Sequence, residues 1–189
     1  RTDTGVHAVN YIAHFDSTSC CKFETGFLCY KLNAILPEGI AVHEISPADD
    51  RFHARFDATK REYHYFLHRK KDPFMDKRSY LYRFDLNVEA MNQAAEYLLG
   101  TTWDPDHVRM MGYPKDENDY LVFTVSADRF LRNMVRAIVG STLEVGRGKR
   151  SPEWIAELIK SGVRSDAGQS VPGYALFLSS VEYDFSKGD

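Results

Sequence analysis

The chain has 189 residues, 43% of them hydrophobic and 27% charged, and its 24 Lys and Arg against 27 Asp and Glu set a formal net charge of −3. That length suits one domain or two small ones, with a core that buries roughly 70% of the unfolded chain's surface. The cysteines, Cys20, Cys21 and Cys29, make neither a disulfide framework nor a C-x-x-C pair, and no apolar run of about 18 residues or signal-peptide pattern is present, so a membrane span and secretion are not supported and a reducing cytoplasm is expected.

The first stretch, RTDTGVHAVNYIAHF, sets a small polar turn around Asp3 before an alternating run. Val9, Tyr11, Ala13 and Phe15 share one face of that run, as in a half-buried strand. FETGFLCYKLNAILPEG then places Leu28, Leu32 and Ile35 at helical spacing and stops at Pro37, and IAVHEIS follows as a predicted strand. A polar stretch, SPADDRFHA, marks the expected domain boundary near residue 52. KREYHYFLH is a tyrosine-bearing strand, rich in β-favouring aromatics. Asn87 caps a helix whose apolar stripe is Met91, Ala94, Ala95 and Leu98, with Gly100 as its stop. YLVFTVSA is a strand. In DRFLRNMVRAIVG, Phe130, Met134, Ala137 and Ile138 form one predicted helical stripe, and Arg129, Arg132, Asn133 and Arg136 form another. SPEWIAELIKSG has Ser151 as N-cap, Pro152 at the first position and Gly162 past the end. YALFLSSVEYDF closes as a strand. Strands and helices alternate without a phosphate-loop signature, which makes α+β the expected class.

Charge is uneven along the chain. From Arg129 to Arg150, Arg129, Arg132, Arg136, Arg147, Lys149 and Arg150 stand against Glu144 alone, whereas acids prevail between Asp104 and Asp119. The first region suits phosphate and the second repels it.

Each candidate residue has an ordinary reading. An Asp before Thr-Gly is most often an Asx-turn residue, the tyrosines are sheet residues, and the arginines are a solvated helix face. An aspartic protease also uses Asp-Thr-Gly, but Arg1 beside Asp3 favours an ionised carboxylate over a shared proton, and a second copy is missing, so that reading needs a homodimer. VGRGKRS lacks the phosphate-loop spacing because position 143 is Leu, and the histidines never form His-Glu-x-x-His.

Taken together, the blocks RTDTGVHA, YKLNAILPEGIAV, HARFDATKREYHYFL, FLRNMVRAIVG and SVPGYALFLSSVEY resemble, in order, those of the TruA family of tRNA pseudouridine synthases. The resemblance runs from Arg1 to Tyr183. It implies two similar α+β halves with mainly antiparallel sheets flanked by helices and an active-site cleft between them. Residues 1–52 would be the remainder of the N-terminal half and 53–189 the C-terminal half, since the family has several dozen residues before the catalytic loop and a longer insert after the EYLLG position. By the same resemblance Asp3 is the catalytic aspartate, Tyr63 the active-site tyrosine, Arg136 the arginine of the Met-Val-Arg helix, Leu176 part of the apolar wall of the uracil pocket, and Arg1 a holder of the flipped nucleotide. The substrate implied is uridine at tRNA positions 38 to 40.

The chemistry breaks the bond between ribose C1′ and uracil N1 and rejoins the base through C5. A carboxylate ionised at neutral pH either attacks C1′ or stabilises charge there. An arginine beside it holds its oxygens by bidentate hydrogen bonds, the role given to Arg136. Tyr63 stacks on uracil and is a candidate for the proton transfer at C5 or C2′. No organic cofactor or metal is called for. Arg129, Arg132, Arg147, Lys149 and Arg150 would hold backbone phosphates of the anticodon arm around a flipped base. A homodimer is expected, with turnover slower than in a chain carrying the N-terminal segment. The alternative is a non-catalytic fragment that binds RNA or dimerises.

Overall fold

The computed structural model describes residues 2–17, 24–98 and 120–184, together with the backbone of 101–104. Arg1, Cys20, Cys21, Gly100 and most of the acidic stretch lie outside the described residues. The chain divides into two units, one formed by Arg1–Ile12 with Ala58–Asp184 and the other containing Ala13–Asp57.

The larger unit is a six-stranded, mostly antiparallel sheet with helices on one face. Its strands are β1 (His7–Ala8), β2 (Ala58–His68), β3 (Tyr80–Leu81), β4 (Thr101–Asp104), β5 (Tyr120–Ala127) and β6 (Leu176–Tyr183). In the sheet the order is β1-β6-β2-β5-β4, and β3 pairs with β2. Strand β2 is central because its apolar residues alternate. Tyr63, Tyr65 and Leu67 point to the core, facing Val125, Phe123 and Leu121 of β5 in register.

On that face lie α2 (Val88–Glu96) and α3 (Met134–Gly146), while α4 (Trp154–Ser161) packs at their far ends. Asn87 caps α2 as its sequence predicts, its side chain accepting from the Ala90 N–H. Gly162 ends α4 in the left-handed region, also as expected. Ser151 does not cap by its hydroxyl; its carbonyl accepts from the Trp154 N–H, and Glu153 takes the N-cap position.

The predicted helix over 129–140 begins only at Met134, because Asn133 has φ +62° and breaks helical continuity. Of the expected stripe, Ala137 is buried and Phe130 and Ile138 pack against the core, whereas Met134 is 39% exposed; Val135, Val139 and Leu143 enter the core as well. The strand expected over residues 9–15 is limited to His7–Ala8, which pairs in parallel with Phe177 and Leu178; Val9, Tyr11 and Phe15 are exposed.

In the second unit, α1 (Thr25–Ile35) forms as expected, with the Glu24 carboxylate accepting from the Phe27 N–H. It has no buried residue, and Ile35 of its expected stripe is 79% exposed. Residues 40–46 do not form the predicted strand. The Asn33 side-chain amide takes both backbone groups of Val42, each at 2.7 Å, and so occupies the groups a neighbouring strand would need.

Candidate active site

Asp3 opens a tight turn in which the Val6 N–H donates to the Asp3 carbonyl at 3.2 Å and Gly5 supplies φ +76°. The turn delivers His7 and Ala8 to the edge of β6, where Val9 N–H donates to the Leu178 carbonyl. Against its other side sits Gly173, where a Cβ would come within 3.1 Å of the Thr4 carbonyl oxygen. The Asp3 loop is thus held between β6 and the segment that leads into it.

The half-buried Asp3 carboxylate accepts, through Oδ2, from the backbone N–H of Asn133 at 3.1 Å. Asn133 lies immediately before α3, so the acid sits at the positive end of that helix dipole. The Asn133 amide donates to Ser170 Oγ at 2.6 Å, and Arg164 donates to the same hydroxyl, also at 2.6 Å. Asn133 Oδ1 is buried without a partner among the described residues.

Arg136 stands three residues further along α3. Its Nε donates to the Val171 carbonyl at 2.6 Å, and its own carbonyl accepts from the Val171 N–H. The bidentate Arg136–Asp3 contact expected from the sequence is not made among the described residues. The reason is geometric: the 168–171 segment lies directly on α3 and takes the guanidinium, while the Asn133 backbone N–H takes the carboxylate. That segment approaches closely enough that a Cβ at Gly140 would meet the Gln169 carbonyl at 1.9 Å. Gly168 N–H is held there by Ser141 Oγ at 2.9 Å.

Tyr63 is 9% exposed, its ring edge-on to Phe130 with centroids 5.3 Å apart. Burial pushes its phenol above the usual tyrosine range; nearby Arg61 opposes this, and Asp3 and Tyr11 add to it. The ring is therefore a neutral phenol at physiological pH. Leu176 is 4% exposed and belongs to the same core cluster as Tyr63, paired across the sheet with Tyr65.

The basic residues separate into two groups. Arg129 and Arg132 are exposed in the irregular segment before α3, on the Asp3 side. Arg147, Lys149 and Arg150 follow the other end of α3, roughly 20 Å away along a helix that rises about 1.5 Å per residue. Arg147 lies 3.8 Å over the Phe84 ring; Arg150 lies over Trp154 and 3.9 Å from Glu144. They do not join the Asp3 group. Local sequence spacing gives no reason to single out Ser170 or Gly173, and it places Asn133 within the arginine stripe. The available signals were a glycine inside a helix, Gly140, which marks close backbone approach, and an Asn at a helix start, which tolerates the left-handed region.

A family model described as tRNA pseudouridine synthase matches residues 83–184. The chain is 45% identical to tRNA pseudouridine synthase A of Parabacteroides distasonis over 196 residues, covering 97% of this chain and 77% of the relative. It is 41% identical to tRNA pseudouridine synthase A of Bacillus subtilis over 199 residues, 97% of this chain and 79% of the relative, and 44% identical to that of Bacteroides thetaiotaomicron, with 97% and 73% covered. The chain belongs to the TruA family of tRNA pseudouridine synthases, isomerases that convert uridine to pseudouridine in tRNA.

Proposed function

We propose that this tRNA pseudouridine synthase uses Asp3 as its catalytic carboxylate, on uridines at positions 38 to 40 of the anticodon arm. The observation that carries this reading is that Asp3, from the start of the chain, is hydrogen-bonded at the N-terminus of α3, with Arg136 one helical turn beyond and Tyr63 close enough to feel its charge. Three chemistry-bearing groups from distant segments belong to one unit.

In this reading the carboxylate engages ribose C1′ as the bond to N1 breaks. The base turns, C5 bonds to C1′, and the C5 proton leaves while N1 gains one. Tyr63 is neutral and offers a hydroxyl for that proton traffic or a ring for stacking. Arg136 is the cation of α3, and its guanidinium would serve Asp3 or a phosphate. Leu176 would back the uracil, and Arg1 would hold the flipped nucleotide. The exposed Arg129 and Arg132 would grip backbone phosphates beside the flipped base; Arg147, Lys149 and Arg150 would reach a more distant part of the same RNA.

No step moves a hydride or an electron, so the reaction calls for no organic cofactor or metal. A cytoplasmic homodimer is part of this proposal; the exposed apolar side chains of Val9 and Tyr11 are available for such contact. No helix among the described residues is long and apolar enough to cross a membrane.

The test is Asp3→Asn, which keeps size but removes the anionic oxygen. Tritium release from C5-labelled uridine in tRNA should vanish while the circular dichroism spectrum is kept. Undiminished release would remove Asp3 from the mechanism.

A further inference from the structure

We propose that Asn133 is a positioning residue for the Asp3 carboxylate, acting through a left-handed backbone that aims its N–H at Oδ2. The proposal rests on the reading of Asp3 as the catalytic group. Three observations carry it. First, the Asn133 N–H donates to Asp3 Oδ2 at 3.1 Å, and among the described residues Asp3 has no other side-chain hydrogen bond. Second, Asn133 has φ +62° and ψ 6° at the junction between an irregular segment and α3. Its φ sets the rotation of the peptide plane that carries this N–H relative to the helix, so a change to an ordinary helical φ near −63° would turn that plane through roughly 125° and lose the contact. Third, the side chain is fixed by Ser170 Oγ at 2.6 Å, itself held by Arg164, although Oδ1 stays buried and unpartnered. A strained dihedral and an unpaired buried oxygen at one residue persist only where the surroundings impose them, and such costs gather at functional sites.

A residue that merely starts α3 would change stability and leave the chemical step alone. A positioning residue changes the rate of the bound complex, because a carboxylate displaced by about 1 Å loses on the order of 10²-fold.

The experiment is single-turnover isomerisation of a tRNA transcript at saturating enzyme, with the transcript's Kd measured separately. Asn133→Val, whose branched side chain abandons the left-handed region, is expected to slow the bound-state rate about 10- to 100-fold with little change in Kd. Asn133→Gly keeps both the left-handed backbone and the N–H and is expected to restore at least about fivefold of that loss. If Asn133→Val does not fold, Asn133→Ala compared with Asn133→Gly reads the same difference. A wild-type rate in the Val or Ala variant, or a Gly variant as slow as the Val variant, overturns the proposal. Asp3→Asn is run beside them. If it is fully active, the reading of Asp3 itself fails; if it is inactive while the Asn133 variants behave alike, the positioning role alone fails.

Discussion

At the scale of single residues, the site is built from groups whose local preferences are overridden. Left-handed backbone costs a non-glycine residue about 1 to 2 kcal/mol, though Asn tolerates it better than most, and an unpaired buried acceptor costs about 1 to 3 kcal/mol. Asn133 carries both features beside Asp3. Tyrosines show the same tension in their protonation. Tyr63 and Tyr65 have phenols pushed above the usual range, chiefly by burial, and the Tyr65 hydroxyl donates to the Pro172 carbonyl at 3.0 Å. For Tyr65 the sign follows from the raised folded-state value. Below the unfolded pKa of about 10 both states hold the proton and stability is unaffected; above it the unfolded chain releases the proton first, and stability falls by up to about 1.4 kcal/mol per pH unit. Tyr65→Phe is therefore expected to lose about 1 kcal/mol at pH 8 with its hydrogen bond, yet to show a flatter decline from pH 10 to 11. Urea denaturation at these pH values measures both, and a parallel decline in variant and parent would rule this origin out.

At the scale of elements, α3 and the 168–171 segment act as one piece. Gly140 and Gly168 let two backbones touch, Ser141 and Arg136 bond across the gap, and the segment runs on to Gly173, which abuts the Asp3 loop. Gly140→Ala must push Gln169 away, since its Cβ would sit 1.9 Å from a backbone oxygen that no rotamer change can move. Overpacking of this kind costs about 1 to 3 kcal/mol or more. The expected outcome is a lower Tm together with slower isomerisation, because Ser170 and Val171 shift with the segment. Unchanged stability would mean that the segment separates from α3 without cost.

At the scale of the molecule, the larger unit holds every described candidate catalytic group, and the candidate phosphate-binding residues Arg129, Arg132, Arg147, Lys149 and Arg150 lie at the two ends of α3. The net charge of −3 therefore does not describe what an RNA would meet. Tight binding through phosphates releases counterions, and each lost contact flattens the salt dependence by about 0.7 to 0.9. Arg132→Ala is expected to show that reduction in tRNA binding measured across salt concentrations while keeping the parent's thermal stability, because Arg132 is exposed. An unchanged slope would return it to an ordinary solvated side chain. Arg147 is a poorer probe, since its guanidinium packs on the Phe84 ring, so its removal also disturbs that packing.

The features legible in the amino-acid sequence are local and periodic. Alternation in KREYHYFLH and the apolar, β-favouring run YLVFTVSA specified β2 and β5, Asn87 and Gly162 marked helix ends, and the ordered blocks indicated the family. Short-range chemistry decides such features: pleat period, capping and turn geometry depend on neighbours a few residues away. Other features waited on distant partners. The alternating run after Ala8 found no ladder, Val42 was taken by the Asn33 amide, and α3 started at Met134 because Asn133 faces Asp3 across a separation of 130 residues. Likewise the 168–171 segment, not the acid, claimed Arg136, a choice set by how closely Gly140 and Gly168 let two backbones approach. Only tertiary structure could decide these, since a donor goes to the acceptor that packing brings within about 3 Å, and sequence spacing alone does not record that distance.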